Sequence, residues 1–362
     1  MSKNTEQTAV AADQATNEFN QVVKGVSLTR DAWRRLKKNK MAMAGLVIVI
    51  FYTLMAVSAP ILPIYSYREQ VIEHQDFPPS FKTAAQIMLD MKRKELLEAS
   101  GHTVPDAAEA AELAAYKAEL DSQKRVVNGK MQYVNERRYL MGTDNLGRDM
   151  LARIIYGSQV SIAIGLMGAL FSMFIGVVIG ALSGYVGGTA DFLIMRVVDI
   201  IYGLPYMILV IILMAIFGNN ISNLFIALSM VSWLTAARVV RGQVLSLKNS
   251  EFVEAARSMG AHRRRIMFRH LVPNTFGVII VFATLRVPTF IMLEAFLSFL
   301  GLGVSAPYAS WGSLIQDGVG GMNLYPWRLF FPSLAMALFL LAMNFLGDGL
   351  RDAFDPQSKN RL

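Results

Sequence analysis

Six long apolar stretches divide the chain, at about 41–64, 159–183, 192–217, 221–241, 275–300 and 329–347. Each is close to the ~20 residues a helix needs to cross a hydrocarbon core about 30 Å thick. The pattern predicts an all-α polytopic membrane protein with six transmembrane helices. The first stretch is uncharged from Met41 to Ile64 and would reach about 36 Å as a helix. The apolar core of a cleavable signal is only about 7–15 residues long, so this run is expected to stay and span. Ahead of it, residues 1–28 are polar and predict disorder. Trp33, with Arg30, Arg34, Arg35, Lys37, Lys38 and Lys40, reads as an interface anchor.

Between the first two spans the character changes. Ser80 is placed to cap a helix from Phe81 to about Ala99, with Gly101 ending it. Pro105 opens a second helix from Asp106 to about Lys124, and Gly129 marks a further turn. These signals predict a helical hairpin in an extracytoplasmic loop, 65–140. The spans themselves are rich in small residues. The second holds Gly165, Gly168, Gly176, Gly180 and Gly184, a spacing that lets helices approach closely in lipid.

Charge supplies direction. Residues 1–40 hold eight Lys/Arg, Arg238 to Pro273 hold eight more, and the tail adds Arg351, Lys359 and Arg361. Residues 65–158 hold 13 against 14 Asp/Glu, and 301–328 hold one Arg. Basic residues concentrate in cytoplasmic loops, so both termini and the loop 242–274 are expected to be cytoplasmic. The same bias explains the net charge of +8 without nucleic acid, in a chain that is 54% hydrophobic and only 17% charged. The absence of cysteine excludes disulfides and thiolate chemistry. The four histidines are scattered without carboxylate support, so no metal site is expected. There is no G-x-x-x-x-G-K-[ST] loop to cradle ATP. Gly-x-Ser-x-Gly and His-Glu-x-x-His are also missing, which leaves an intramembrane enzyme without a basis. A secondary transporter would be expected to show duplicated halves with broken helices, and no such pair is legible.

The most informative stretch runs from Glu251 to Asn274. It offers a short helix to Met259, a stop at Gly260, and a second helix ending at Pro273. Ala255, Ala256 and Gly260 form a smooth surface for another protein, with arginines around it. Because short helices join this segment to two spans, a force applied to it would pass into the bundle. Glu254, Ala255, Ala256 and Gly260, then Ile266, Leu271 and Pro273, are similar to the E-A-A-x-x-x-G loop of ABC importer permeases. The resemblance implies that these residues couple the chain to an ATPase subunit.

Other segments narrow the family. Gly142, Thr143, Asp144, Gly147, Arg148 and Asp149 resemble the G-T-D-x-x-G-R-D signature of dipeptide/oligopeptide permeases. Gly184 to Asp191, with Arg196 and Asp199, is similar to their connection between second and third spans. Glu294 to Gly303 with Ser310-Trp311-Gly312, and Asn344 to Pro356, resemble their fifth-span ending and closing motif. Together these cover about 30–65 and 140–357 and point to the C-type subunit, the hairpin being longer than that pattern. The resemblance implies the type I ABC importer permease fold in the cytoplasmic (inner) membrane. It divides the chain into a tail 1–40, a first span 41–64, the loop 65–140, a permease core 141–350 and a tail 351–362. The implied partners are a second homologous permease, two ABC ATPase subunits, an extracytoplasmic substrate-binding protein and membrane lipid, with no nucleic acid. The chain itself is expected to hold no cofactor, ATP and Mg²⁺ being used by the ATPases in alternating access. Peptides are the implied cargo, with nickel, an opine or another small solute left open.

Charges inside the spans complete the candidates. Arg196 and Asp199, three apart on one helix face, are placed to pair with each other. Arg286 and Glu294 lie deeper, on the fifth span, too far apart to pair directly. They either line the pore or gate, or pair with other spans or a second subunit.

Overall fold

The computed structural model describes residues 28–127, 130–218 and 220–354. Gly129, and the end of the closing motif at Asp355 and Pro356, lie outside the described residues, as does the expected disordered tail up to residue 27. Helices dominate: α1 (Leu28–Leu36), α2 (Lys40–Ser58), α3 (Ala84–Ser100), α4 (Ala107–Ser122), α5 (Met150–Val186), α6 (Gly188–Tyr202), α7 (Tyr206–Phe217) and α8 (Ile221–Leu247). They continue with α9 (Glu251–Ser258), the short α10 (Arg263–Arg265), a π-helical turn (Ile266–Leu271), α11 (Val272–Asn274), α12 (Phe276–Phe299), α13 (Trp311–Val319) and α14 (Trp327–Phe354). One small antiparallel hairpin, β1 (Arg125–Val127) with β2 (Lys130–Gln132), pairs Val126 with Met131.

Five helices, α2, α5, α8, α12 and α14, are long and apolar enough to cross a membrane, and the bent pair α6–α7 makes a sixth span when counted as one. Three expected boundaries are corrected. The first helix stops at Ser58 rather than running to Ile64, since Pro60 has no N–H to continue the ladder. Its 19 residues still reach about 28 Å. The second begins at Met150, nine residues ahead of the apolar run, because the Asp149 carboxylate caps it by accepting from the Ala152 N–H at 3.0 Å. At 37 residues it is about 55 Å long, so one end projects beyond any hydrocarbon layer. The third is not one helix: α6 and α7 are bent by 81° at Gly203-Leu204-Pro205. Pro205 disfavours helical backbone at the residue before it and donates no hydrogen bond.

The most extensive packing joins α5 to α8. A Cβ on Gly176 or Gly180 would run into Ala236 and Ala237, and one on Gly184 into Val244. Small residues on both helices are thus what allows this approach, and van der Waals packing holds it where lipid supplies no hydrophobic drive. The main core lies between α5, α12, α13 and α14, around Trp311, Phe290, Phe339 and Tyr52. Tyr52, Trp311 and Phe339 form an aromatic triangle with centroids 5.4–5.8 Å apart.

At one end sits a lobe containing the helical hairpin. Its first helix is capped by Thr83, not Ser80, and the second by Asp106, both through reciprocal capping boxes. Gly101 ends the first in the left-handed region, φ 70°. At the opposite end are α1, the segment 251–274 and the end of α14. There Ala32 and Leu36 pack on Ala42, Leu346 and Ala353.

Candidate functional site

The segment between α8 and α12 is built from two opposed surfaces. α9 turns Val253 and Ala256 inward, where they meet Val240 and Val244 of α8, Ala181 of α5, and Ile266, Met267 and Leu271 that follow. Glu251, Phe252, Glu254, Ala255, Ser258, Met259 and Gly260 stay exposed. This corrects one expectation: Ala256 is no part of a smooth outer surface, being 2% exposed. Ile266 and Leu271 are likewise buried. They hold the segment to the bundle, while Glu254, Ala255 and Gly260 face outward.

Gly260 closes α9. Its φ is +78°, its N–H donates to the Arg257 carbonyl at 3.0 Å, and the Ala261 N–H donates to the Ala256 carbonyl at 3.1 Å. Those two bonds form a Schellman cap, which needs a left-handed residue at this position. Beyond it the chain does not end its helix at Pro273. It widens into the π-turn and continues through Pro273 to Asn274 before α12 begins. Pro273 removes one N–H, and the Asn274 side chain donates to the His270 carbonyl at 2.6 Å.

Two ion pairs tie α6 to α8 near this segment. Arg241 grips Asp191 with both Nε and an Nη, at 2.5 and 2.6 Å, and the Ser183 hydroxyl donates to the same carboxylate. Asp199 pairs with Arg238 at 2.6 Å, not with Arg196 as the spacing suggested. Arg238 comes from the neighbouring helix and also lies over the Tyr202 ring, while Arg196 lies over Phe192. Neither the pairing of Arg238 nor that of Arg241 was read from the sequence, because nothing local marks a partner 39 or 50 residues away.

At the other end, Gly142 to Asp149 fold into one tight turn. Gly142 and Gly147 have φ 76° and 66°, and a side chain on Gly147 would collide with the Val71 backbone. The Thr143 hydroxyl donates to the His74 carbonyl at 2.6 Å and accepts from the Phe77 N–H at 2.7 Å. Asp144 is 1% exposed and accepts from the Leu146 and Arg148 N–H groups, from Arg148 Nε at 2.6 Å and from Arg153 at 2.5 Å. Burial pushes the Asp149 carboxyl up to about 6. The turn therefore fastens the lobe to the start of α5. Arg153, Asp317, Arg328 and Asp76 complete the polar cluster, and sequence spacing pointed to none of them.

The two charges of the fifth span part company. Glu294 is fully buried and accepts hydrogen bonds from the hydroxyls of Ser161 (3.3 Å), Ser298 (2.7 Å) and Ser310 (2.6 Å). It knits α12 to α5 and α13 and does not line an opening. Arg286 lies over the Phe282 ring at 5.0 Å and borders a cavity of ≈ 380 Å³ between α6–α7, α8 and α12. The lobe also brings a histidine to carboxylates, which the sequence did not suggest: atoms of His102, Asp106 and Glu109 lie within 4.8 Å of one another. All three stand at the start of α4, where the two carboxylates serve its capping box.

Residues 176–360 match the family model described as binding-protein-dependent transport system inner membrane component, and residues 27–79 match the N-terminal transmembrane domain of oligopeptide transport permease C. The chain is similar to the dipeptide transport system permease of Bacillus subtilis, at 40% identity over 92% of this chain and 87% of that protein. It is similar to the oligopeptide transport system permease of the same organism, at 38% identity over 92% and 91%. It also resembles the glutathione transport system permease of Pectobacterium atrosepticum, at 43% identity over 61% and 73%.

Proposed function

The chain belongs to the family of binding-protein-dependent transport system inner membrane components, and from that premise we propose how it moves its cargo. It is a transmembrane permease subunit of an ATP-binding-cassette importer for peptides, a transport subunit and not a catalytic one. In our reading two separate ATPase subunits bind and hydrolyse ATP with Mg²⁺. A second homologous permease completes the passage, and an extracytoplasmic substrate-binding protein delivers the peptide. Both termini and the loop 242–274 lie in the cytoplasm. The lobe formed by 65–140 stands outside, fastened to the core 141–350 by the Asp144 turn.

The observation that carries this reading is the two-sidedness of α9. One face is fixed by Val253, Ala256, Ile266 and Leu271 to the ends of α5 and α8. The other presents Glu254, Ala255, Met259 and Gly260 to solvent. A partner seated there moves a rigid extension of the spans, not a loose loop. Driving a two-state passage from 1:99 to 99:1 takes about 5.5 kcal/mol of differential binding. Closure of two ATP-loaded subunits, transmitted through two such segments, would supply it in alternating access.

The test is Ala255→Trp in the assembled importer. Ala255 is exposed, so a large side chain there leaves the bundle intact but blocks close approach. The expected result is normal membrane level, loss of co-purifying ATPase and at least tenfold slower uptake. Retained ATPase association with full uptake would refute the docking role.

A further inference from the structure

Arg286 is the eleventh residue of α12, about 15 Å along the helix and so near the middle of the span. A cation at that depth is costly unless it meets a partner or an aqueous cavity. Here it borders the ≈ 380 Å³ cavity whose other polar groups are the hydroxyls of Tyr202, Tyr206, Ser232, Thr235 and Thr289. No carboxylate lines that cavity among the described residues. The acids nearby in sequence are already engaged, Asp199 by Arg238 and Glu294 by three serines. The hydroxyls are partly pre-set: Tyr206 shares a hydrogen bond with Ser232 at 3.0 Å and donates to the Leu228 carbonyl at 3.3 Å.

The cavity lies at the 81° break between α6 and α7. Tyr202, Leu204 and Thr289, which stand on its wall, are exposed, so it opens to the surface of the chain. Its remaining wall is apolar, from Ile201, Val231, Leu234 and Leu293. One guanidinium, a ring of hydroxyls and an apolar wall suit an anion carried on an apolar body. A volume of this size suits one end of a peptide better than an extended chain.

We propose that this cavity is a cargo site within the membrane, in which Arg286 receives the C-terminal carboxylate of the passing peptide. The planar guanidinium matches a carboxylate through two parallel N–H donors, and the apolar wall takes the terminal side chain. The proposal rests on the peptide-import reading above and adds to it a requirement for a free C-terminus.

The test uses the complete importer in proteoliposomes, with its ATPases and binding protein. It compares a short peptide with its C-terminal amide, chosen so that the binding protein loads both. Because the binding protein is unchanged, any change in preference between variants reports the permease. Arg286→Gln should slow uptake of the free acid by about tenfold or more, the scale of a lost charged hydrogen bond, and leave the amide within about twofold. Arg286→Lys, which keeps the charge but not the fork, should retain an intermediate preference. Thr289→Glu, on the exposed side of the cavity, would place a competing carboxylate there and should depress the free acid more than the amide, a check available even if Arg286→Gln does not assemble. Equal loss for both peptides, or an unchanged preference, would overturn the assignment. Failure of the wild type to import either peptide would instead overturn the peptide reading itself, and this site with it.

Discussion

Asp144 shows what a single side chain does in this molecule. Its carboxylate is buried and answers two arginines and two backbone N–H groups. Removing one partner of a buried ion pair strands the other, at a cost of about 3–5 kcal/mol. Asp144→Ala takes the carboxylate from buried Arg148 and leaves Arg153 only its longer 3.4 Å contact to Asp317, so the purified protein in detergent should melt several degrees lower. An unchanged melting temperature would mean that the lobe is held elsewhere. Asp144 and Arg148 were marked beforehand as members of one contiguous motif, but their pairing was not. Arg153, one helical turn into α5, was not marked, because its pairing depends on where α5 starts. The same limit explains Asp199. Spacing along one helix proposed Arg196, but the neighbouring helix brings Arg238 within 2.6 Å. A tertiary partner overrides a local one, and sequence periodicity reports only the local one.

Among the elements, the pairing of α5 with α8 is the most extensive, and α5 runs from the lobe turn to the segment 251–274. Its closeness depends on Gly176, Gly180 and Gly184 facing Ala236, Ala237 and Val244. Gly180→Leu forces the helices apart and should cost about 1–3 kcal/mol. Gly242→Leu, on α8 where nothing lies within 4 Å, should be neutral or slightly stabilising because leucine is the better helix former. Thermal unfolding of the two variants side by side checks this, and equal destabilisation would contradict it. The glycine spacing was visible in the sequence, and so was a close helix contact, but the identity of the facing helix was not. The break at Gly203-Leu204-Pro205 was missed, although Pro205 stands inside the apolar run. Length alone favoured one straight span, and the backbone chemistry of proline decided otherwise.

At the scale of the whole molecule, the lobe and the coupling segment sit at opposite ends of the bundle, and both are anchored to α5. Membrane character, span number and the family were legible because each rests on long runs or on contiguous motifs. The division of the E-A-A segment into an anchored and a free face was not, since small residues look alike until packing separates them. In the proposed mechanism that division would let a docked ATPase move the passage, and the chain is suited to testing it because it contains no cysteine. Single cysteines at 255, 256 and 259 can each be introduced into the assembled importer and treated with a short bifunctional crosslinker. Cysteine at 255 or 259 should join this chain to the ATPase subunit, with a yield that changes on adding ATP, while cysteine at 256 should stay unreactive. Crosslinking at 256 in place of 255 and 259, or no ATPase adduct at any of the three, would contradict it.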